Sequence, residues 1–418
     1  MSPTIIKSTK KALLKKSKQM KLLNTELKNK VLETVMQLLD SKRHSIIEAN
    51  KKDLESFDNT DRAMYDRLIV NDEKIDGMIQ SVREVMEQED PVAKTISSRK
   101  LNNGLEIINK TDPFGKIMII YESRPDVTIE AAVLAFKANN KILLKGGKEA
   151  YNSNKILVEC WHEALRQNQL EEDWIQLLNL NRTGTQEFLK NESHKLDLIV
   201  PRGGERLIQF VKEHAKCAVL ISGRGNNFIY IDKDADWGTS LQVILNAKTH
   251  KISACNALDK ILIDKNDPQY ENHLKELSEL LEQNNVEVLV DEKVKQVLPE
   301  AESIPNEQTW YEEFLAMKAC IGSVDGLKEA IDKINTYSGG HSNTIMTTDD
   351  KKAETFMEQV DSAAVYHNAS TRFTDGGQMG VGAELAISTD KLHHRGPLGL
   401  KQLVTNKYYV YGNGQIRE

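Results

Sequence analysis

The chain has 418 residues, of which 39% are hydrophobic and 28% charged, and its formal net charge is −6. A chain of this length exceeds what one hydrophobic core usually organises, so we expect two or three domains. The composition is that of a globular protein rather than a disordered one. The negative net charge argues against nucleic acid as the main partner. No apolar run approaches the roughly 18 residues that a membrane-spanning helix needs, so no membrane partner is expected.

The N-terminal segment 1–20 is rich in lysine but contains no apolar signal core and no cleavage site, which predicts a cytoplasmic protein. Lys10, Lys11, Lys15 and Lys16 would lie on the solvated face of an amphipathic helix. An acidic partner that binds this face is the alternative.

The four cysteines are far apart and form no CxxC pair, which favours reduced thiols in the cytoplasm over a disulfide framework or a zinc site. They are Cys160, Cys217, Cys255 and Cys320. His341, His393 and His394 lie in polar stretches where surface or structural roles are expected, and no HExxH-like spacing predicts a metal.

Helices are predicted over residues 8–90, because apolar residues recur there at helical spacing with charges on the opposite side. The stretch 99–115 predicts a hairpin that turns at Asn103-Gly104. From residue 116 to about residue 222, short apolar strands alternate with helices. This alternation predicts a parallel sheet covered on both faces, a doubly wound domain, which we place within residues 1–240.

A second, smaller α/β domain is predicted over residues 241–372, where helices again mix with buried strands. Residues 373–418 are first rich in glycine and then in β-forming residues (LVTNKYYVYG). Exposed β-formers at a chain end often pair with the sheet of another chain, so we expect an oligomerisation arm and a homo-oligomer.

Glycines follow several of the predicted strands, although no G-x-G-x-x-G stands after the first one. The pairs are Gly146-Gly147 and Gly203-Gly204, and Gly223 and Gly225 follow a later strand. Ligands bind at the carboxyl ends of parallel strands, so these corners predict an anionic or nucleotide ligand. Strand-to-helix turns also use glycine for their geometry alone, and both interpretations stay open.

Cys255 is the cysteine whose surroundings suggest chemistry. It lies in HKISACNALDK, after a predicted helix and before a predicted strand, among small residues that leave room for a substrate. A lone cysteine is more often a small buried hydrophobic residue than a nucleophile, and we expect the other three to be of that kind.

Several motifs together resemble one enzyme family. They are YESRPDVTIEAAVLAF, LDLIVPRGGERLI, ACNALDKILI and NASTRFTDGGQMGVGAEL, in that order. They resemble the gamma-glutamyl phosphate reductases, a branch of the aldehyde dehydrogenase superfamily, and the resemblance covers nearly the whole chain. It implies an aldehyde dehydrogenase-like α/β fold, with a doubly wound cofactor-binding domain, a smaller catalytic domain, and the active site in the cleft between them.

The resemblance also implies a reaction. Cys255 would attack the acyl phosphate of L-glutamyl 5-phosphate and expel phosphate, and NADPH would reduce the resulting thioester to L-glutamate 5-semialdehyde, the second step of proline biosynthesis. A thiolate suits this chemistry because it is both a good nucleophile and a good leaving group. Candidate partners are a second copy of the chain and a glutamate 5-kinase that would hand over the unstable acyl phosphate.

Site residues follow from the same resemblance. Arg124 of YESRP lies where the superfamily places its oxyanion-hole asparagine, so it would hold the acyl phosphate or the developing oxyanion. A salt bridge at a strand end is the alternative. Asn256, Thr371 and Arg372 would bind the substrate.

For the cofactor, Lys145-Gly146-Gly147-Lys148 stands where the superfamily has Lys-Pro-Ser-Glu. Replacing that glutamate by Lys148 reverses the charge and should favour NADP over NAD, unless Lys148 only faces solvent. Gly203 and Gly204 would contribute to the same cofactor site.

Two other functions stay open. An oxidising or CoA-acylating aldehyde dehydrogenase has the same fold, but the segment AVLISGRGNN lacks the glutamate that would activate water. Further along the chain, Asn227-Phe228 stands where many relatives have a Cys-His pair, and His250-Lys251-Ile252 replaces the more usual basic residue followed by Arg-Pro. The second alternative is a non-catalytic relative that binds an acidic partner through its N-terminal lysines.

Overall fold

The computed structural model describes residues 22–57 and 62–417. The first elements in this part of the chain are four helices. They are α1 (Thr25–Ser41), α2 (Arg43–Glu55), α3 (Arg62–Leu68) and α4 (Asp72–Glu87). Asn24 and Asn71 cap α1 and α4, because each side chain accepts a backbone N–H of the first turn. The predicted helices are confirmed from residue 25 onward, while Lys10, Lys11, Lys15 and Lys16 lie outside the described residues.

A small antiparallel sheet contains both the predicted hairpin and the predicted C-terminal strand. Its order is β1 (Thr95–Lys100), β2 (Glu106–Pro113) and β17 (Val404–Tyr411). Gly104 occupies the hairpin turn at φ +89°, a conformation that favours glycine. The C-terminal strand therefore pairs with β2 of its own chain, and its role in assembly stays a prediction.

A five-stranded parallel sheet forms the centre of the first half of the chain, in the order β5-β4-β3-β6-β7. Its strands are β3 (Lys116–Tyr121), β4 (Lys141–Lys145), β5 (Ile175–Leu177), β6 (Leu198–Arg202) and β7 (Ala218–Val219). The connecting helices are α5 (Pro125–Lys137), α6 (Tyr151–Gln167), α7 (Arg182–Glu192) and α8 (Glu205–His214). Along β3, Ile117 and Ile119 join one apolar cluster, whereas Met118 and Ile120 join another. Both faces of the sheet are thus covered, which confirms the doubly wound prediction.

A seven-stranded parallel sheet organises the second half, in the order β11-β10-β12-β9-β8-β13-β14. Its strands are β8 (Asn227–Ile231), β9 (Leu258–Asp264), β10 (Glu287–Val290), β11 (Glu302–Ser303), β12 (Lys318–Val324), β13 (Ser342–Met346) and β14 (Ala364–His367). The helices are α9 (Trp237–Thr249), α10 (Tyr270–Gln283), α11 (Glu292–Lys295), α12 (Gly326–Tyr337) and α13 (Asp350–Gln359). The short strands β15 (Ile387–Ser388) and β16 (Gly396–Pro397) pair with each other.

The chain divides into two compact units at positions that differ from the predicted domains. The first unit runs to Ile221 and includes residues 381–386 and 398–418, and the second contains residues 222–380 and 387–397. The predicted boundary near residue 240 is too late, because β8 pairs with β9 and β13 of the second sheet. The C-terminal segment 373–418 is likewise not a unit of its own, since both units contain parts of it.

Candidate active site

Cys255 lies in the loop between α9 and β9, at the amino end of β9, and its side chain is partly exposed. Two backbone hydrogen bonds shape this loop: the N–H of Ala254 donates to the carbonyl of Lys251 at 3.2 Å, and the N–H of Ala257 donates to that of Ala254 at 3.0 Å. The thiol is therefore held on a turn, as its sequence position predicts.

The other cysteines lie in different surroundings. Cys160 and Cys320 are fully buried, and Cys217 is half-buried at the margin of an apolar cluster. Burial raises the pKa of Cys160 and of Cys217 to about 11 and that of Cys320 to about 12. Because the thiolate is the nucleophilic form, none of these three is suited to covalent catalysis at neutral pH.

Asn227 fixes the backbone of the Cys255 loop. Its Nδ2 donates to the carbonyls of Gly225, Cys255 and Ala257 at 2.9, 2.9 and 2.6 Å. Its Oδ1 accepts the backbone N–H of Ser342 at 3.0 Å, and the side chain is fully buried. One amide therefore joins the loop before β8, the Cys255 loop and the start of β13.

Gly225 allows its loop to approach the Cys255 loop. A Cβ at this position would lie 2.0 Å from the carbonyl oxygen of Cys255. A Cβ at Gly223 would lie 2.3 Å from Oγ1 of Thr389, and one at Gly339 would lie 1.8 Å from the carbonyl oxygen of Arg224. Packing within the second unit accounts for these glycines, so the geometric alternative left open by the sequence applies to Gly223 and Gly225.

The predicted substrate-binding residues of the second unit meet at Cys255. Oγ1 of Thr371 donates to the carbonyl of Asn256 at 2.7 Å. Nδ2 of Asn256 donates to the carbonyls of Thr374 and Arg372 at 2.9 and 3.2 Å. The turn Thr371–Phe373 is thereby tied to the residue that follows the thiol.

Arg372 brings a positive charge with unused hydrogen-bonding capacity. Its Nε and Nη1 are buried and have no hydrogen-bond partner among the described residues, and the same holds for Oδ1 of Asn256. Burial lowers the pKa of Arg372, and the negative charges that Cys255, as a thiolate, and Asp375 can carry nearby act in the opposite direction. Buried polar groups usually have partners, and two guanidinium donors match a planar or tetrahedral oxyanion.

A polar chain that the sequence did not predict lies against the same turn. Nδ1 of His341 is 2.7 Å from Oγ of Ser342, which is 2.6 Å from Oγ1 of Thr374. The hydroxyl of Tyr366 is 2.7 Å from the same Thr374 oxygen. His341 is fully buried rather than on the surface, and this burial lowers its pKa to about 4. Its place at the start of β13 gives it the structural role that the sequence left open.

In the first unit, β4, β3 and β6 are neighbours, so their carboxyl ends meet at one edge. Arg124 follows β3, and residues 145–148 and 203–204 follow the other two strands, so the predicted residues of this unit lie along that edge. Lys148 is exposed, whereas Lys145 is half-buried. Burial lowers the pKa of Lys145, and its Nζ donates to the carbonyl of Gly146 at 2.5 Å.

Arg124 occupies the position just before α5, without a capping hydrogen bond from its side chain, and forms the ion pair that the sequence left as the alternative. Its Nη2 donates to Oδ2 of Asp126 at 3.1 Å, and Nζ of Lys74 lies 3.8 Å from the same oxygen. Burial by itself would raise the pKa of Asp126, but the charges of Arg124 and Lys74 hold it below its ordinary value. The Arg124 side chain as a whole remains more than a third exposed in this ion pair.

Neighbouring side chains account for three of the four predicted cofactor-site glycines. A Cβ at Gly146 would lie 2.3 Å from Nδ2 of Asn154. One at Gly147 would meet the carboxylate of Glu149, and one at Gly203 would lie 2.8 Å from the carboxyl carbon of Glu122. Only Gly204, just before α8, has open space around its Cβ position.

No group of three or more histidine, cysteine, aspartate or glutamate side chains in residues 22–57 and 62–417 is arranged to hold a metal ion. Within the same ranges, no helix combines the length and the apolar character that crossing a bilayer requires.

Comparison with known proteins identifies the family. Residues 4–297 match the model of the aldehyde dehydrogenase family. The gamma-glutamyl phosphate reductase of Dictyoglomus thermophilum is 40% identical over 412 residues, which are 97% of this chain and 98% of that relative. The chain belongs to the gamma-glutamyl phosphate reductases of the aldehyde dehydrogenase family. It is thus an oxidoreductase, and the predicted family is confirmed.

Solved structures agree with this assignment. The gamma-glutamyl phosphate reductase of Thermotoga maritima superposes with a TM-score of 0.91 at 40% identity, over 96% of each chain. The glyceraldehyde-3-phosphate dehydrogenase of Methanocaldococcus jannaschii, complexed with NADP, has a TM-score of 0.68 at 17% identity, over 99% of this chain and 95% of that one. The second likeness is one of fold alone. The predicted aldehyde dehydrogenase-like fold is confirmed.

Proposed function

We propose that the enzyme reduces L-glutamyl 5-phosphate to L-glutamate 5-semialdehyde with release of phosphate, the second step of proline biosynthesis from glutamate. The observation that carries this proposal is the pairing of a partly exposed Cys255 with the buried, unsatisfied donors of Arg372. An acyl phosphate needs a thiolate nucleophile and cationic donors for its anionic groups, and this pairing supplies both. The names of the relatives support the same substrate.

Cys255 begins the reaction. Its thiolate forms a bond to the acyl carbon, the bond from that carbon to the phosphate oxygen breaks, and phosphate leaves with the electron pair. Arg372 favours the thiolate through its charge and offers Nε and Nη1 to an oxyanion of the substrate. NADPH, when bound, supplies the hydride that the Cys255 thioester accepts. Release of the aldehyde returns Cys255 to the thiolate.

Asn256 and Thr371 complete the substrate site in this proposal. Oδ1 of Asn256 is a buried acceptor that has no hydrogen-bond partner in the described part of the chain, which suits the ammonium group of an amino-acid substrate. The hydroxyl of Thr371 donates to the Asn256 carbonyl, so it contributes by holding Asn256 in position. In the first unit, Arg124, whose side chain is partly exposed, would bind the phosphoryl group or the developing oxyanion.

The residues at the edge of the first sheet fit a cofactor that carries phosphates. Lys148 is an exposed cation, and the space at Gly204 leaves room for an anion before α8. Gly146, Gly147 and Gly203 shape this edge through their lack of side chains. Together with Lys145, these residues would hold NADPH, and the charge of Lys148 favours the 2′-phosphate of NADP over NAD.

Assembly, partners and location also remain proposals. Tyr408, Val410 and Tyr411 of β17 are exposed apolar side chains, which favours a homo-oligomer built through the β1-β2-β17 sheet. We propose a cytoplasmic enzyme that receives its acyl phosphate from a glutamate 5-kinase.

The reverse reaction tests the proposal. Purified protein is mixed with glutamate 5-semialdehyde, phosphate and NADP, and the absorbance of the reduced cofactor is followed beside a Cys255→Ala variant. Phosphate-dependent reduction of NADP that disappears in the variant supports the proposal. Turnover in which water or CoA replaces phosphate identifies an oxidising or acylating dehydrogenase instead. No turnover with any acceptor, together with loss of partner binding when Lys10, Lys11, Lys15 and Lys16 are neutralised, identifies a non-catalytic relative.

A further inference from the structure

Ser123 adopts an uncommon conformation immediately before Arg124. Its φ is +35°, in the region that residues other than glycine rarely occupy, and its side chain is buried. Such a conformation costs on the order of 1–3 kcal/mol and persists only where surrounding contacts impose it. The next residue, Arg124, stands just before α5, so the backbone conformation of Ser123 affects the direction in which the Arg124 side chain leaves the chain.

One carboxylate oxygen imposes this conformation. Oε1 of Glu149 accepts the backbone N–H of Ser123 at 3.0 Å and its Oγ–H at 2.6 Å. Hydrogen bonds to an ionised acceptor are stronger than neutral ones, so a single charge fixes both the backbone and the side chain of Ser123. Glu149 lies 26 positions away in sequence, in the short helical turn after β4.

Gly147 opens the path of this carboxylate. A Cβ at Gly147 would overlap Oε1 of Glu149, so the carboxylate that binds Ser123 occupies the space that a side chain at residue 147 would need. The carboxylate of Glu149 therefore contacts the buried Ser123, whereas its neighbour Lys148 is exposed. The absence of a side chain at Gly147 thus allows the contact between Glu149, in the loop after β4, and Ser123, in the loop after β3.

We infer that Glu149 is a positioning residue, which acts through Ser123 to hold Arg124 ready to bind the phosphoryl group. The inference rests on the proposed function only for the role of Arg124. The ion pair from Arg124 to Asp126 orients the guanidinium from the other side of the same turn. Removing the Glu149 carboxylate allows Ser123 to relax to negative φ. The Arg124 side chain then moves, but it keeps its positive charge.

The first test separates phosphate binding from cofactor binding. Glu149→Ala should raise the KM for phosphate in the reverse reaction about tenfold, because two hydrogen bonds to a charged acceptor are lost. The NADPH dissociation constant, measured from cofactor fluorescence, should stay within about twofold. Glu159→Ala is the matched control, since it removes an exposed carboxylate of α6 whose contact is a loose pair with Lys155 at 3.7 Å. Should Glu149→Ala fail to fold, Glu149→Gln keeps an acceptor oxygen and should raise the KM by a smaller factor.

A double-mutant cycle tests whether Glu149 acts through Arg124. In an Arg124→Ala background, Glu149→Ala should not change the KM for phosphate. It should also not change the phosphate concentration at which half of the maximal rise in melting temperature is reached. Additive effects in the two variants, or an unchanged KM in Glu149→Ala while the wild type is active, would overturn the inference. A wild type without phosphate-dependent turnover would instead refute the proposed function, and this inference with it.

Discussion

Replacing Gly225 by alanine perturbs the thiol without touching it. The new Cβ would lie 2.0 Å from the carbonyl oxygen, 2.5 Å from the carbonyl carbon and 2.6 Å from Cα of Cys255. All three atoms belong to the backbone, so no side-chain rotation relieves the overlap. Ordinary C···O contacts begin near about 3.3 Å, so the two loops must separate by more than about 1 Å.

That displacement sets the size of the effect. A misplacement of about 1 Å at a reacting group lowers the rate about 100-fold, so we expect at least that loss in kcat for the phosphate-dependent reaction. The hydrogen bond from Asn227 to the Cys255 carbonyl would stretch beyond bonding distance. Its loss lowers the free energy of unfolding by about 1 kcal/mol. A large kinetic effect should therefore accompany a small change in stability.

The assay compares Gly225→Ala with Gly238→Ala, since both are glycines of the second unit. Gly238 is exposed in the first turn of α9, and the nearest atom to its Cβ position is 3.9 Å away. Alanine there should leave kcat unchanged and stabilise the helix by about 0.5–1 kcal/mol. A Gly225→Ala enzyme with kcat within about threefold of wild type would refute the argument that the close approach of these loops positions the thiol.

Three further predictions concern the second unit. Asn227→Leu leaves three carbonyls and one backbone N–H without the Asn227 amide as their partner. Urea titration should therefore show that the free energy of unfolding falls by about 3 kcal/mol. A fall of less than about 1 kcal/mol would contradict this prediction. Arg372→Gln removes the cation beside Cys255, so alkylation of that thiol by iodoacetamide at neutral pH should slow about tenfold, and an unchanged rate would refute the electrostatic role. Burial lowers the pKa of His341 from 6.5 to about 4, so its contribution to stability is complete above pH 6.5 and disappears as the pH falls towards 4. Over that range the wild type should lose roughly 3 kcal/mol relative to His341→Asn, and parallel pH profiles of the two proteins would contradict the assignment.

Local patterns were sufficient to predict most of the fold. The apolar run at 116–121 and the helical spacing at 127–140 are short-range signals, and β3 and α5 lie where they indicate. The boundary between the units depends instead on strand pairing. Nothing within residues 227–231 tells whether β8 continues the first sheet or joins β9 and β13, because that choice depends on partners far along the chain.

The candidate site divides in the same way. Cys255 and Arg372 were predicted from motifs, because their chemistry is a property of residue type. The sequence left a geometric role for Gly225 and a structural role for His341 open, and it did not predict the hydrogen bonds of Asn227. These roles arise from contacts with residues distant in sequence. The one local signal was negative: Asn227-Phe228 departs from the pair common among relatives, and that departure coincides with the amide that fixes the thiol loop.

The pairing of β17 with β2 has a consequence for how the protein is made. The ribosome completes the strands of both parallel sheets before it synthesises residues 404–411, so β2 keeps one unpaired edge until that segment is made. Unpaired strand edges invite pairing with other chains, and nascent chains on one messenger are close together. A chain that stops before residue 404 would thus carry a complete second sheet and an open edge on the first unit. A strand that is made late thus protects one that is made early.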